Sequence, residues 1–228
     1  ASFRNAKPGS TLYEKGMSHF SLEQFAKDVF DGTLPAVSWV LPSKEWSEHP
    51  SASTPLQGAE FTARVLNALT ANPDVWSRTV FFQTFDENDG LFDHLPAAAP
   101  PSYDANGRLM GKSTVDLKGF YFNDPQRRLL DTSDTVSGAI RPWGLGARVP
   151  LYVVSPWSRG GWVNSQVADH TSVGQFIEKR FNVTIPAISP WHRAVCSDLV
   201  SCFDFKSPND PVFPPMPETK GSEQAELA

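Results

Sequence analysis

Cysteine is nearly absent: Cys196 and Cys202 are the only two thiols in 228 residues. That number is too small for a disulfide framework or for a four-cysteine zinc site. The two thiols either bridge one another or stay free and partly buried; the free state is the default, and neither state fixes the compartment. No cluster of lysines or arginines appears that could neutralise successive phosphates, and the net charge is −5 with a pI near 5.5. A nucleic-acid-binding surface is excluded on that ground. No apolar run reaches the roughly 18 to 20 residues that a membrane-spanning helix requires. The amino terminus, Ala1-Ser-Phe-Arg-Asn-Ala-Lys-Pro8, lacks the apolar segment of a secretory signal. There is no initiator Met, and no strand with a phosphate loop or metal motif comes before the first helical pattern. The expectation is therefore a fragment or a processed chain.

What the chain does contain is ample for a core. With 40% apolar and 12% aromatic residues, it can build one large domain or two small ones. The most informative stretch is Thr79-Val-Phe-Phe-Gln-Thr-Phe-Asp-Glu-Asn-Asp-Gly-Leu-Phe-Asp-His94. Its first part is β-branched and aromatic with almost no charge, which predicts a strand covered on both faces in a parallel sheet. The carboxylates Asp86, Glu87, Asp89 and Asp93 then follow closely, with Asn88, Gly90 and His94 among them. Open α/β sheets hold their ligands just past the carboxyl end of a strand. Asp86 and Glu87 would repel one another if both were ionised in a dry site, so a positive group is needed beside them, most simply a divalent cation with oxygen ligands. A solvated acidic loop with a structural histidine is the competing reading. Gly90 allows a sharp turn that would bring Asp93 and His94 back toward the same mouth.

Elsewhere the pattern predicts a helix over residues 18–31 with Ser21 as N-cap and Gly32 as its end, then a short buried strand over residues 34–41. A polar stretch, Trp46-Ser-Glu-His-Pro-Ser-Ala-Ser-Thr54, brings His49 into a loop. There it either binds phosphate or donates a proton, or it makes a hydrogen bond ahead of the next helix. An amphipathic helix over residues 58–71 carries Phe61, Val65, Leu66 and Leu69 on one face, with Glu60 and Arg64 paired at i, i+4. Residues 34–85 thus form a strand-helix-strand unit, right-handed by the usual rule. Residues 95–143 are punctuated by Pro and Gly and read as a long excursion over a site mouth, with a small hairpin at most. Their aromatics, Tyr103, Phe120, Tyr121, Phe122 and Trp143, either line a substrate site, including one for a cationic head group, or pin the loop down. A further strand over residues 146–155 leads to a polar loop and then to Asp169-His-Thr-Ser172, just before a helix over residues 173–181. Thr171 or Ser172 is the natural N-cap there, and Asp169 can satisfy first-turn amides; that structural role is favoured over metal ligation. The proline density after Asp204 predicts an extended strap, and a disordered tail follows from Glu218.

Together these strings resemble one family, the bacterial phosphoesterases that include phosphocholine-preferring phospholipases C and a group of acid phosphatases. The resemblance is carried by Leu34-Pro-Ala-Val-Ser-Trp39, Ser47-Glu-His-Pro50, Trp76-Ser-Arg-Thr79, Phe85-Asp-Glu-Asn-Asp-Gly-Leu-Phe-Asp-His94, Arg148-Val-Pro150, Ser155-Pro-Trp-Ser-Arg-Gly-Gly161 and Asp169-His-Thr-Ser172. It runs from about Ser18 to Phe205. Departures are few: Phe85 stands where tyrosine is usual, Leu91 where an aromatic is usual, and Cys202 where a small residue is expected.

The resemblance implies an α/β fold, a three-layer α/β/α sandwich of the alkaline-phosphatase-like type, present here as a partial domain. Residues 1–205 would be the carboxyl-terminal part of the catalytic domain, with 95–143 the excursion over the site and 206–228 the strap and tail. It implies one divalent metal ion held by Asp86 and Glu87, for which oxygen ligands favour Ca, Mg or Mn and leave Zn open. It implies His49 as the phosphate-binding group, with His49 and His94 as the catalytic histidines and Asp93, Asp169 and His170 in supporting or structural places. The implied reaction is metal-assisted hydrolysis of phosphatidylcholine to diacylglycerol and phosphocholine; the alternative is a phosphomonoesterase on the same scaffold. The family's Glu-Asn-Arg-Ser-Phe-Asp-His-type segment and its separate Thr or Ser nucleophile have no counterpart before Leu34. A catalytically incomplete half, completed by a missing amino-terminal half, is therefore a third reading. The implied partners are phospholipid and transient contact with a membrane surface, in a secreted or periplasmic setting.

Overall fold

The computed structural model describes residues 5–16, 21–91, 93–104, 106–122, 140–207 and 209–218. The first residues of the helix expected from Ser18, part of the excursion (123–139) and the tail beyond Glu218 lie outside the described residues. The chain divides into two compact units, one of residues 1–79 and 209–228, the other of residues 80–208.

The first unit is helical. After a short helix α1 (Thr11–Gly16), helix α2 (Leu22–Phe30) begins where Ser21 accepts a hydrogen bond from the Gln24 amide at 3.2 Å. It ends at Gly32, whose φ of +69° suits glycine. Helix α3 (Pro55–Thr70) starts three residues earlier than the apolar pattern alone predicts, because Thr54 and Gln57 form a reciprocal cap and Pro55 takes the first helical position. Val29 of α2 and Val65, Leu66 and Leu69 of α3 are buried, each contributing roughly 1.5 to 3 kcal/mol by removal from water. Asn72 joins the two helices by using both ends of its amide. Its Nδ2 donates to the Val29 and Phe30 carbonyls at 2.9 and 3.2 Å, which satisfies orphan groups at the end of α2. Its Oδ1 caps the short helix α4 (Pro73–Trp76).

Residues 34–41 do not form the expected strand. Val37, Trp39, Val40 and Leu41 are exposed, and no ladder partner lies beside them among the described residues. Apolar and β-branched character makes a strand only where another strand supplies the hydrogen bonds. The right-handed strand-helix-strand unit expected over residues 34–85 is therefore absent. At its other end this unit carries the proline-rich segment as an extended strap: Phe213 meets Trp76 edge to face with ring centroids 5.4 Å apart, and Asn209 donates to the Ser77 carbonyl.

The second unit is built on a two-stranded ladder, β1 (Phe81–Thr84) against β4 (Leu151–Val154), with a shorter ladder of β2 (Tyr121–Phe122) against β3 (Arg141–Pro142). Both ladders are antiparallel, with Phe81 opposite Val154 and Thr84 opposite Leu151. This corrects the expected parallel pairing, and β1 is part-buried rather than covered on both faces: an apolar, β-branched run does not report strand direction. Helix α5 (His170–Phe181) covers the main ladder through Phe176, whose ring lies 5.2 Å from Phe82 and 5.4 Å from Phe203. Among the excursion's aromatics, Phe120 is buried against Trp191 of helix α6 (Pro190–Val195) and Tyr103 packs on Tyr121, whereas Trp143 is exposed. The chain is thus mixed α/β, helices with a small antiparallel sheet.

Glu178 of α5 clasps Arg193 of α6 with two bonds of 2.6 and 2.8 Å. Those bonds first, and the Ile185 amide second, hold its carboxyl down at about 2, against an ordinary 4.5. A depressed carboxylate stabilises the fold fully above the unfolded value and loses that contribution as pH falls from about 4.5 to about 2. Glu178→Gln should lower Tm at pH 7, and the difference from wild type should shrink across that acid window. A difference that stays constant down to pH 2 would contradict this assignment.

Candidate functional site

β1 ends at Thr84, whose hydroxyl donates to the Pro150 carbonyl at 3.0 Å. Because the ladder is antiparallel, this end of β1 lies beside the start of β4, and the polar loop after β4 leaves from the opposite end. The chain then returns. Nε2 of His170, the first residue of α5, lies 2.9 Å from the carbonyl oxygen of Phe85. The Asp169-His-Thr-Ser string and the acidic turn, far apart in sequence, therefore meet.

Asp86 and Glu87 follow Phe85 and are exposed. Neither has an ionic partner among the described residues. Oε2 of Glu87 accepts the Asp89 amide at 2.7 Å. Asp89 and Gly90 have φ of +54° and +71°, and the Leu91 amide closes on the Asn88 carbonyl at 3.0 Å. Two successive left-handed residues with Asp-Gly at the centre are the hallmark of a type I′ turn. Beyond it, Asp93 is mostly buried and pairs with Arg148 Nε at 2.7 Å and with His94 Nδ1 at 3.2 Å. His94 is 97% exposed. The turn is thus held at both ends, by His170 before it and by Arg148 after it. Arg148 was visible in the sequence only as part of Arg148-Val-Pro150; its pairing with Asp93 depends on the strand register.

His49 belongs to the helical unit. It is exposed, in the turn that leads into the Thr54 cap. Its carbonyl accepts the Ala52 and Ser53 amides, and the Ser53 hydroxyl accepts the Glu48 amide at 2.7 Å. Nδ1 lies 3.2 Å from the Ser51 hydroxyl and 3.5 Å from the Ser51 amide. An amide only donates, so Nδ1 keeps its lone pair and Nε2 carries the proton of the neutral ring. Glu48, beside it, has a positive φ of 63°, and burial raises its carboxyl above the usual range. Its side chain lies on Gly58, where a Cβ would sit 1.9 Å from Glu48 Oε1.

Asp169 takes the N-cap place of α5 that the pattern gave to Thr171 or Ser172. It accepts from the Thr171 amide at 3.0 Å and the Thr171 hydroxyl at 2.7 Å, while Ser172 returns a bond from the Asp169 amide. Its second oxygen lies 3.3 Å from His192 Nε2, and His192 Nδ1 lies 3.0 Å from the Ser189 hydroxyl. The Ser-His-Asp chain ties α6 to α5, with Ser189 occupied as the cap of α6. Its signal in the sequence is the Ser189-Pro-Trp-His192 spacing of an N-cap with its third residue.

Among the described residues no group of three His, Cys, Asp or Glu side chains is placed to hold a metal ion. Asp86 and Glu87 supply hard oxygen donors that fit part of a divalent shell, and further ligands would have to join them.

The profile of the Phosphoesterase family matches residues 1–184. A non-hemolytic phospholipase C of Pseudomonas aeruginosa is 49% identical over 217 residues, 95% of this chain and 30% of the relative. A non-hemolytic phospholipase C of Burkholderia pseudomallei is 46% identical over 230 residues, 96% of this chain and 31% of the relative. Phospholipase C B of Mycobacterium tuberculosis is 37% identical over 210 residues, 92% of this chain and 37% of the relative. The chain spans about a third of the length of these curated relatives.

Both cysteines are free. Burial, then the neighbouring Asp169 charge, pushes the Cys196 thiol up to about 12, so it stays protonated and unreactive at neutral pH. Cys202 is less buried, with Asn164 Nδ2 3.2 Å from its sulfur. A disulfide-exchange reagent at pH 8 should label Cys202 first in the native protein, and Cys196 only on unfolding. Equal labelling of the two would contradict the packing around Asp169.

Proposed function

This chain belongs to the phosphoesterase family, and on that footing we propose that it hydrolyses phosphodiester bonds in phospholipids, taking phosphatidylcholine to diacylglycerol and phosphocholine. The observation that carries the proposal is the exposed, ion-unpaired Asp86 and Glu87 pair on a turn held at both ends, in a chain whose relatives are named phospholipases C. In this reading residues 1–205 are the carboxyl-terminal part of a catalytic domain and 206–228 its strap and tail. The β1·β4 ladder is then one part of a three-layer α/β/α sandwich of the alkaline-phosphatase-like kind. The setting is secreted or periplasmic, with transient contact at the membrane surface where the substrate lies.

Asp86 and Glu87 offer adjacent carboxylate oxygens, which suit a hard divalent cation better than a soft one. When bound, such a cation supplies positive charge beside the phosphoryl oxygens and lowers the pKa of a hydroxyl nucleophile. The nucleophile is not a residue that the sequence motifs of this chain identify. His49, with Nδ1 held as an acceptor by Ser51, presents Nε2–H as a donor. It binds a phosphoryl oxygen or protonates the departing oxygen of diacylglycerol. His94 is the second candidate acid, since its ring is open to solvent and pairs with Asp93. A phosphomonoesterase would use the same carboxylates, and the two reactions differ in the bond cut.

The test uses the full-length protein with phosphatidylcholine and, separately, p-nitrophenyl phosphate. Diacylglycerol release is expected from wild type, reduced about 100-fold or more by Asp86→Asn and Glu87→Gln and about 100-fold or more by His49→Ala. Hydrolysis of p-nitrophenyl phosphate without diacylglycerol release would replace the phospholipase reading with the phosphomonoesterase one. Wild-type activity in Asp86→Asn and Glu87→Gln would remove the proposed role of the pair.

A further inference from the structure

We infer that His170 is a positioning residue for the Asp86 and Glu87 carboxylates, an inference that rests on reading the pair as divalent-ion ligands. The bond concerned runs from His170 Nε2 to the Phe85 carbonyl, 2.9 Å away. A carbonyl oxygen only accepts, so Nε2 carries the proton and the contact is a directed hydrogen bond. Phe85 is the last residue before the pair, and it lies just beyond Thr84, the last residue in register with β4. Because the peptide unit is planar, fixing the Phe85 carbonyl also fixes the Asp86 nitrogen and Cα. His170 thereby sets the direction in which the pair leaves the sheet.

The backbone that carries the ring is anchored by its neighbour. His170 is the first residue of α5, and the preceding Asp169 is locked by the Thr171 amide and hydroxyl, the Ser172 hydroxyl and His192. On the far side of the turn, Asp93 and Arg148 provide the second anchor. Between the anchors, bonds inside the turn fix its shape: Glu87 to the Asp89 amide, and the Asn88 side chain to the Leu91 carbonyl. These internal bonds shape the turn but do not aim it. Aim comes from the anchors, and the one nearer to Asp86 is His170.

A structural contribution can be separated from this role. α5 is held to the ladder by Phe176 against Phe82 and Phe203, and to α6 by Glu178 and Arg193. His170 is exposed and adds little buried area. Removing its donor should therefore loosen the turn while leaving the helix in place. Geometry supplied by a supporting hydrogen bond to a ligating element is commonly worth 10- to 100-fold in metal affinity.

The experiment compares wild type, His170→Leu and His170→Gln in the full-length protein, with Asp86→Asn as reference. Mn²⁺ affinity is measured by calorimetry without substrate, alongside Tm. His170→Leu removes the donor and keeps similar bulk; it should weaken Mn²⁺ binding about tenfold or more with Tm within about 2 °C of wild type. His170→Gln keeps an amide donor and should recover most of the affinity. Wild-type affinity in His170→Leu overturns the inference. So does a His170→Leu protein that loses Tm and affinity together while His170→Gln restores Tm alone. Mn²⁺ binding to wild type that is insensitive to Asp86→Asn overturns the reading of the pair itself, and the positioning role falls with it.

Discussion

Asp86 and Glu87, consecutive carboxylates just past the end of β1, stand exposed on a turn that is anchored at both ends. Among the described residues no lysine, arginine or histidine neutralises either of them. Asp93, only a few residues further on, is by contrast mostly buried and paired with Arg148. Arg148 thus pairs with the carboxylate that anchors the turn rather than with the two at its start. Such a division suits a site that receives positive charge from elsewhere, since an acidic turn built only for solvent would have no need of anchors at both ends.

The antiparallel ladder makes this arrangement work. Pairing Thr84 with Leu151 brings Arg148, just ahead of β4, to the same end of the sheet as the acidic turn. The same pairing sends the loop after β4 away, and the return to α5 delivers His170 to the Phe85 carbonyl. Asp169 then acts twice, as the cap of α5 and as the partner of His192, so the two helices behind the turn share one part-buried carboxylate. In the helical unit, His49 is presented in a similar way. A capped helix start follows it, Ser51 holds one ring nitrogen, and Gly58 makes room for the neighbouring Glu48 side chain.

Local signals in the sequence revealed what depends on local physics. The Ser21 cap, the apolar face of α3, the presence of α2 and α5, the strand over Phe81–Thr84 and the turn at Gly90 all follow from spacing and side-chain type. Partnership was not legible. Residues 34–41 have strand-like composition but no neighbour to pair with among the described residues, and β1 has the composition of a parallel strand although it pairs antiparallel. Asp169 and Thr171 are both N-cap residue types; Asp169 holds the place and also meets His192 Nε2, a contact that local spacing does not announce. The acidic pair stood out by charge alone. Its anchors, Arg148 and His170, lie roughly 60 and 85 residues away in sequence, where no periodicity could have announced them.

The central claim is that Asp86 and Glu87 share one divalent ion. Anomalous diffraction from crystals of the full-length protein soaked with Mn²⁺ and inorganic phosphate tests it most directly. The account predicts a Mn²⁺ peak about 2.0 to 2.4 Å from oxygens of both carboxylates. A peak held by other residues, with Asp86 and Glu87 turned into solvent, would contradict it.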